Sequence, residues 1–146
     1  MYNSAASVIR TYLITSGLYT LAAALIWGVN TLFLLDAGLD IFLIMLINSL
    51  YSIGQVLFEI PTGVIADTLG RRISFLSGIA ILMFSTLLYL GSATLGWGIP
   101  GFAVGSVLLG LGYTFQTGAV DAWLVDALDE FKYEGRKDEV FARGGF

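Results

Sequence analysis

Four long apolar stretches, divided by short polar turns, take up most of the 146 residues. They cover residues 12–35, 41–66, 73–91 and 98–124. Each is close to or above the ~20 residues that an α-helix needs to cross ~30 Å of hydrocarbon. The pattern predicts an all-α membrane protein with four transmembrane helices. Residues 1–10 read as a short polar lead. Residues 1–128 then form one four-span membrane segment, and residues 129–146 a charged cytoplasmic segment.

Polar side chains inside the stretches are not scattered. In the first, Tyr12, Ser16, Tyr19, Ala23 and Asn30 share a helical face. In the second, Asn48, Ser52, Gln55 and Glu59 recur at steps of 4, 3 and 4. At 100° per residue they project within an arc of ~60°. Such a stripe is too costly to face lipid and must face protein or water. It is either a polar path or a hydrogen-bonded seam between helices.

The third stretch holds Ser74, Ser77, Gly78 and Ser85 but no charge, and reads as a mostly peripheral helix. The fourth places Gly101, Gly105, Gly112 and Gln116 on one face, and Ser106, Gly110, Thr114, Thr117 and Asp121 on the adjoining one. Small residues at these spacings let backbones touch. From the polar positions, Tyr19, Asn30, Asn48, Gln55, Glu59 and Gln116 are the candidates to line a path for solute or ion.

The turns carry their own signals. Asp40 is placed to cap the second helix, and Pro61 should kink its last turns. Pro100 falls in the first turn of the fourth helix, where proline is tolerated, and Trp97 just before it would sit at the headgroup level.

Composition agrees with the class. The chain is 57% hydrophobic and 12% charged, with a mean hydropathy of +0.84, too apolar for a soluble domain of this length. It has no Cys and no His, which excludes disulfides, thiolate or imidazole metal sites and His-based catalysis. Glu59 and Asp121 lack any nucleophile–base constellation, so an enzyme is not expected. No cofactor or nucleic-acid partner is implied, and no cleavable signal peptide is evident. The lipid bilayer is the partner that the composition demands.

All seven Lys and Arg residues lie before the first stretch, between the second and third, or after the fourth. Positive residues collect on the cytoplasmic side. Both ends are therefore expected in the cytoplasm of a multi-pass protein of the plasma membrane.

The most specific stretch joins the second helix to the third: E-I-P-T-G-V-I-A-D-T-L-G-R-R, Glu59 to Arg72. Gly63 can admit a close helix neighbour. Asp67 can accept bonds from a helix N-terminus. Gly70 can take a positive-φ turn. Arg71 and Arg72 hold the turn at the cytoplasmic face, and one of them can pair with Asp67. In G-x-x-x-D-x-x-G-R-R form these residues resemble the loop between helices 2 and 3 of the major facilitator superfamily of secondary transporters. Glu59, Pro61 and Thr62 extend the likeness to its multidrug- and metabolite-efflux branch. Thr117 to Leu128 resembles, more loosely, the cytoplasmic end of helix 4 there. Asp121 takes the place of a usual glutamate, and Asp126 falls on the family's aspartate.

The resemblance implies secondary transport of small solutes, drugs or metabolites, by alternating access, with export as the direction. It implies twelve helices in two six-helix halves with the solute site between them. Four spans are then the first part of one half, and the remaining helices, from the fifth onward, are partners still to be supplied. It also implies a charge cluster of Asp67, Arg71 and Asp126, whose bland alternative is a solvated acid at a helix end. One departure stands out: Ser106 occupies the place of an arginine that many proton-driven members carry in helix 4. Transport is implied more firmly than proton-driven antiport. Glu59, ~12 Å of helix rise from Asp67, reads as structural or gating rather than as a proton carrier.

A different class of reading also fits four spans. A complete small membrane protein could self-associate, as small multidrug pumps do, or serve as a scaffold subunit. Those pumps carry their glutamate in the first helix, whereas here no acid precedes Asp36.

Overall fold

The computed structural model describes residues 4–133 and 135–144, and holds helices and turns without a strand among them. Glu134, counted above within the charged segment, lies outside the described residues. The helices are α1 (Ala5–Asp36), α2 (Ile41–Leu69), α3 (Arg71–Thr94), α4 (Gly98–Glu130) and α5 (Lys137–Gly144). The first four are long and apolar enough to cross a membrane. This is the all-α membrane architecture that the apolar stretches predict.

The helices outrun those stretches. The supposed polar lead is already helical from Ala5, with the Ser4 hydroxyl accepting from the Ser7 N–H. Within the segment expected to be solvated, Lys137–Gly144 coils and buries Val140. Hydropathy marks only the part of a helix that suits hydrocarbon; polar turns extend it at either end.

Turn chemistry explains where the helices stop. α1 closes with Leu39 N–H on the Leu34 carbonyl and Gly38 N–H on the Leu35 carbonyl, Gly38 having φ +88°. This is the Schellman arrangement, with its usual apolar pair in Leu34 and Leu39. α4 ends the same way, Tyr133 bonding to Leu128 and Lys132 to Asp129, but with Lys132 rather than glycine at positive φ. Asp40 caps α2 through its carboxylate and the Leu43 N–H at 2.8 Å. Gly70 alone, at φ +94°, separates α2 from α3.

The chain divides into two compact units, Met1–Asn30 with Val120–Phe146, and Thr31–Ala119. The second unit has an apolar core of Leu34, Leu39, Ile44, Ile47, Tyr89 and Phe102. Around it the helices meet through small residues. A Cβ on Gly54 of α2 would lie 2.6 Å from the Val107 carbonyl oxygen of α4, and one on Gly110 would run into the Tyr51 carbonyl.

α3 and α4 join along a seam of hydroxyls and glycines. Ser85 donates to the Gly105 carbonyl, Ser74 donates to that of Phe115, and Tyr89 pairs with the Ser106 hydroxyl. A Cβ on Gly78 would come within 3.0 Å of the Gly112 carbonyl oxygen. The uncharged stretch of α3 thus buries a polar face against α4 and leaves its other sides exposed. With lipid as solvent, packing and hydrogen bonds of this kind supply the cohesion that apolar burial supplies in water.

In the first unit Val8, Tyr12, Leu124 and Leu128 are fully buried. The charges around α5 pair on the surface. Lys137 meets Asp129, and Arg136 meets Asp138 and Glu139. The guanidinium beside Asp138 holds its carboxyl below the ordinary aspartate range.

Candidate functional site

The second unit carries the α2 stripe and the charged turn. Ile44, Ile47, Gly54, Thr62 and Ala66 form the buried ridge of α2. The stripe lies one helical step around from it. Asn48 and Gln55 are half-buried there, while Ser52 and Glu59 are exposed. The Gln55 amide donates to the Tyr51 hydroxyl at 3.2 Å. The Tyr51 ring in turn meets Tyr113 of α4 edge-on, with centroids 6.2 Å apart. A polar-aromatic patch of Gln55, Tyr51 and Tyr113 therefore joins α2 to α4.

Neither tyrosine stood out in the sequence, where an aromatic residue within an apolar run reads as core. The signal was Tyr51 lying one turn before Gln55 on the same helix. Gln116 is not part of this patch. It is 5% exposed, its backbone N–H faces Gly78 of α3, and its Oε1 is buried without a hydrogen-bond partner among the described residues.

At the turn, Asp67 in the last turn of α2 pairs with Arg71, the first residue of α3. The aspartate is 67% exposed and the arginine 27%. Arg72 is exposed, and no described atom stands within 4 Å of where a Cβ on Gly63 would lie.

The first unit holds the other candidates. On α1, Tyr12 and Ser16 are buried and Tyr19, Ala23 and Asn30 half-buried, while residues 24–29 beside them are exposed. The face shared by those five residues is thus the least exposed part of the helix. The Tyr12 hydroxyl donates to the Asp121 carboxylate of α4 at 3.5 Å. Phe141 of α5 packs edge-on against the Tyr12 ring at 5.9 Å. Asp126 is exposed, a turn and a half further along α4.

Residues 12–136 match the family model of the Major Facilitator Superfamily. The chain belongs to the major facilitator superfamily. No curated protein and no solved structure matches it. As a superfamily member it is a multi-pass membrane transporter, and the matched range takes in the stripe, the Asp67–Arg71 pair and Asp121. Ser106 is 1% exposed and bound to Tyr89 within the second unit.

Proposed function

We propose that this chain supplies the first four helices of a secondary transporter that exports small solutes, drugs or metabolites, by alternating access. The observation that carries the reading is the superfamily match across all four spans, with the G-x-x-x-D-x-x-G-R-R pattern at the α2–α3 turn. The ion pair of Asp67 and Arg71 supports a structural role for that turn. In this reading both ends lie in the cytoplasm and the membrane is the plasma membrane.

The half-buried Asn48 and Gln55, with Tyr19 and Asn30, line the solute path, and Glu59 serves in gating. Gly63, Gly70 and Arg72 shape and anchor the turn. Arg71 is shared between Asp67 and Asp126 in one conformation, and the switch between inward- and outward-open states separates them. Charges held in this way at a partly dry interface are costly to part singly. Substrate or ion binding has to supply that difference.

The coding sequence beyond Phe146 tests the reading at the level of architecture. Eight further apolar spans support it. An immediate stop codon, with disulfide cross-linking between copies of a single-cysteine variant, would replace it with a self-associating four-helix protein. A double-mutant cycle on Arg71 and Asp126, read as solute transport, tests the cluster. Additive losses would remove Asp126 from it.

A further inference from the structure

α1 turns two different sides to its surroundings near its start. Val8, Tyr12 and Ser16 are buried within the first unit. Roughly 130° around the helix, at 100° per residue, an open groove of about 440 Å³ is lined by Ala6, Ile9, Arg10, Leu13 and Ile14. Their spacing of i, i+3, i+4, i+7 and i+8 is that of a single helical face.

The groove is polar at one end and apolar at the other. Arg10 stands two residues before the apolar stretch that begins at Tyr12, so its guanidinium lies at the edge of the hydrocarbon. Past it, Leu13 and Ile14 flank Gly17, where a Cβ would meet nothing within 4 Å. The apolar surface runs on through the exposed Leu18 and Leu21. From Arg10 to Leu21 the helix rises ~16 Å, close to half of a ~30 Å hydrocarbon core. One leaflet fits along it.

Charge decides what belongs there. Around α5, Lys137 is engaged by Asp129, and Arg136 by Asp138 and Glu139. Arg10 is exposed and bonds no acid among the described residues. A second helix laid in the groove would have to bring an acid to meet it, whereas a phospholipid carries its own anion. A guanidinium matches the two free oxygens of a phosphodiester as a fork, and does so better than an ammonium.

We propose that this face of α1 binds one anionic phospholipid, its phosphodiester on Arg10 and an acyl chain over Gly17 between Leu13 and Ile14. The site requires that α1 cross a bilayer and depends on nothing that the protein moves. A lipid seated there ties the start of α1 to the membrane surface.

The test is native mass spectrometry of the full chain, freed from detergent after equilibration with equal amounts of dioleoyl phosphatidylglycerol and dioleoyl phosphatidylcholine. The two share their tails and differ in net charge. Wild type is expected to retain one phosphatidylglycerol in preference, by about fivefold or more, the worth of one cation near an anionic surface. Arg10→Gln should remove the preference, and Arg10→Lys should keep only part of it. Ala6→Leu, which fills the upper groove and leaves the charge, should weaken retention. Arg143→Gln, at an exposed cation of α5 outside the groove, should change nothing.

Circular dichroism verifies that the variants keep their helical content. Equal losses in Arg10→Gln and Arg143→Gln, or full retention in Ala6→Leu, would reduce the effect to general surface charge and overturn the site. Displacement of the lipid by glycerol 3-phosphate at the same concentration would make it a pocket for small anions instead. A lipid-free wild-type dimer that Ala6→Leu separates would give the groove to a second copy of the chain and overturn the proposal.

Discussion

The carbonyl oxygen of Tyr51 in α2 occupies the place where a side chain on Gly110 of α4 would begin. The two backbones touch there. Gly110→Ala is expected to destabilise the second unit by about 1–3 kcal/mol, the usual cost of overpacking, and Gly110→Leu by more. Gly118, where a Cβ would meet nothing within 4 Å, is the control. Its change to alanine should hold or raise the melting temperature in detergent, since alanine suits a helix better. Equal melting of the two alanine variants would show that α2 and α4 do not pack at this point.

The ends of α1 and α4 offer a paired experiment. Both close in the same hydrogen-bond pattern, but the positive-φ position is Gly38 in one and Lys132 in the other. An L-residue other than glycine pays roughly 1–2 kcal/mol for the left-handed region. Lys132→Gly should therefore raise thermal stability, by about 1 kcal/mol once the added backbone freedom of glycine is set against the relief. Gly38→Lys should lower it. A drop in Lys132→Gly would place the lysine's value in its side chain rather than its backbone.

Two polar pairs should differ in what they contribute to stability. Tyr89 and Ser106 are both buried and bonded to each other, so a double-mutant cycle with Tyr89→Phe and Ser106→Ala should show coupling of about 1 kcal/mol or more. Asp67 and Arg71 are joined at an exposed turn, and their coupling in a chemical-denaturation cycle should stay below ~1 kcal/mol. Comparable values for the two pairs would contradict the burial difference. A transport loss at Asp67 or Arg71 that exceeds the stability loss would point to gating.

The stripe on α2 is open to cysteine mapping, because the chain has no native cysteine to interfere. Cysteine at 48 or 55 should react with a water-soluble thiol reagent in the assembled transporter. Cysteine at Leu46 or Leu57, both exposed on the outer side of α2, should react only with a lipid-soluble one. The reverse pattern would assign the water-facing side wrongly.

How far the fold can be read in advance depends on the range over which each signal acts. The four membrane helices are legible because hydropathy accumulates over some twenty consecutive residues. The G-x-x-x-D-x-x-G-R-R turn is legible because five positions fall in ten contiguous residues. The first turns of α1 and the whole of α5 are not, since polar residues conceal a helix that lies outside hydrocarbon. The glycine faces of α4 could be seen, but not their partners. Only the fold sets Gly112 and Gln116 toward α3 and Gly110 toward α2. Tyr12 could be placed on the polar face of α1. Its bond to Asp121 spans 109 positions, and nothing local announces it.

The seam between α3 and α4 has a consequence for the solvent it tolerates. Its cohesion comes from hydroxyls that reach backbone carbonyls and from helices touching at glycine, contacts that an acyl chain has no means to imitate. Lipid is therefore a poor competitor for it, while a small hydroxylic molecule dissolved in the bilayer is a good one. Short alcohols offer the same donors and acceptors, and the helices they part keep their internal ladders intact. Such molecules act on this hairpin as a specific solvent, loosening how its helices associate well before any helix unwinds.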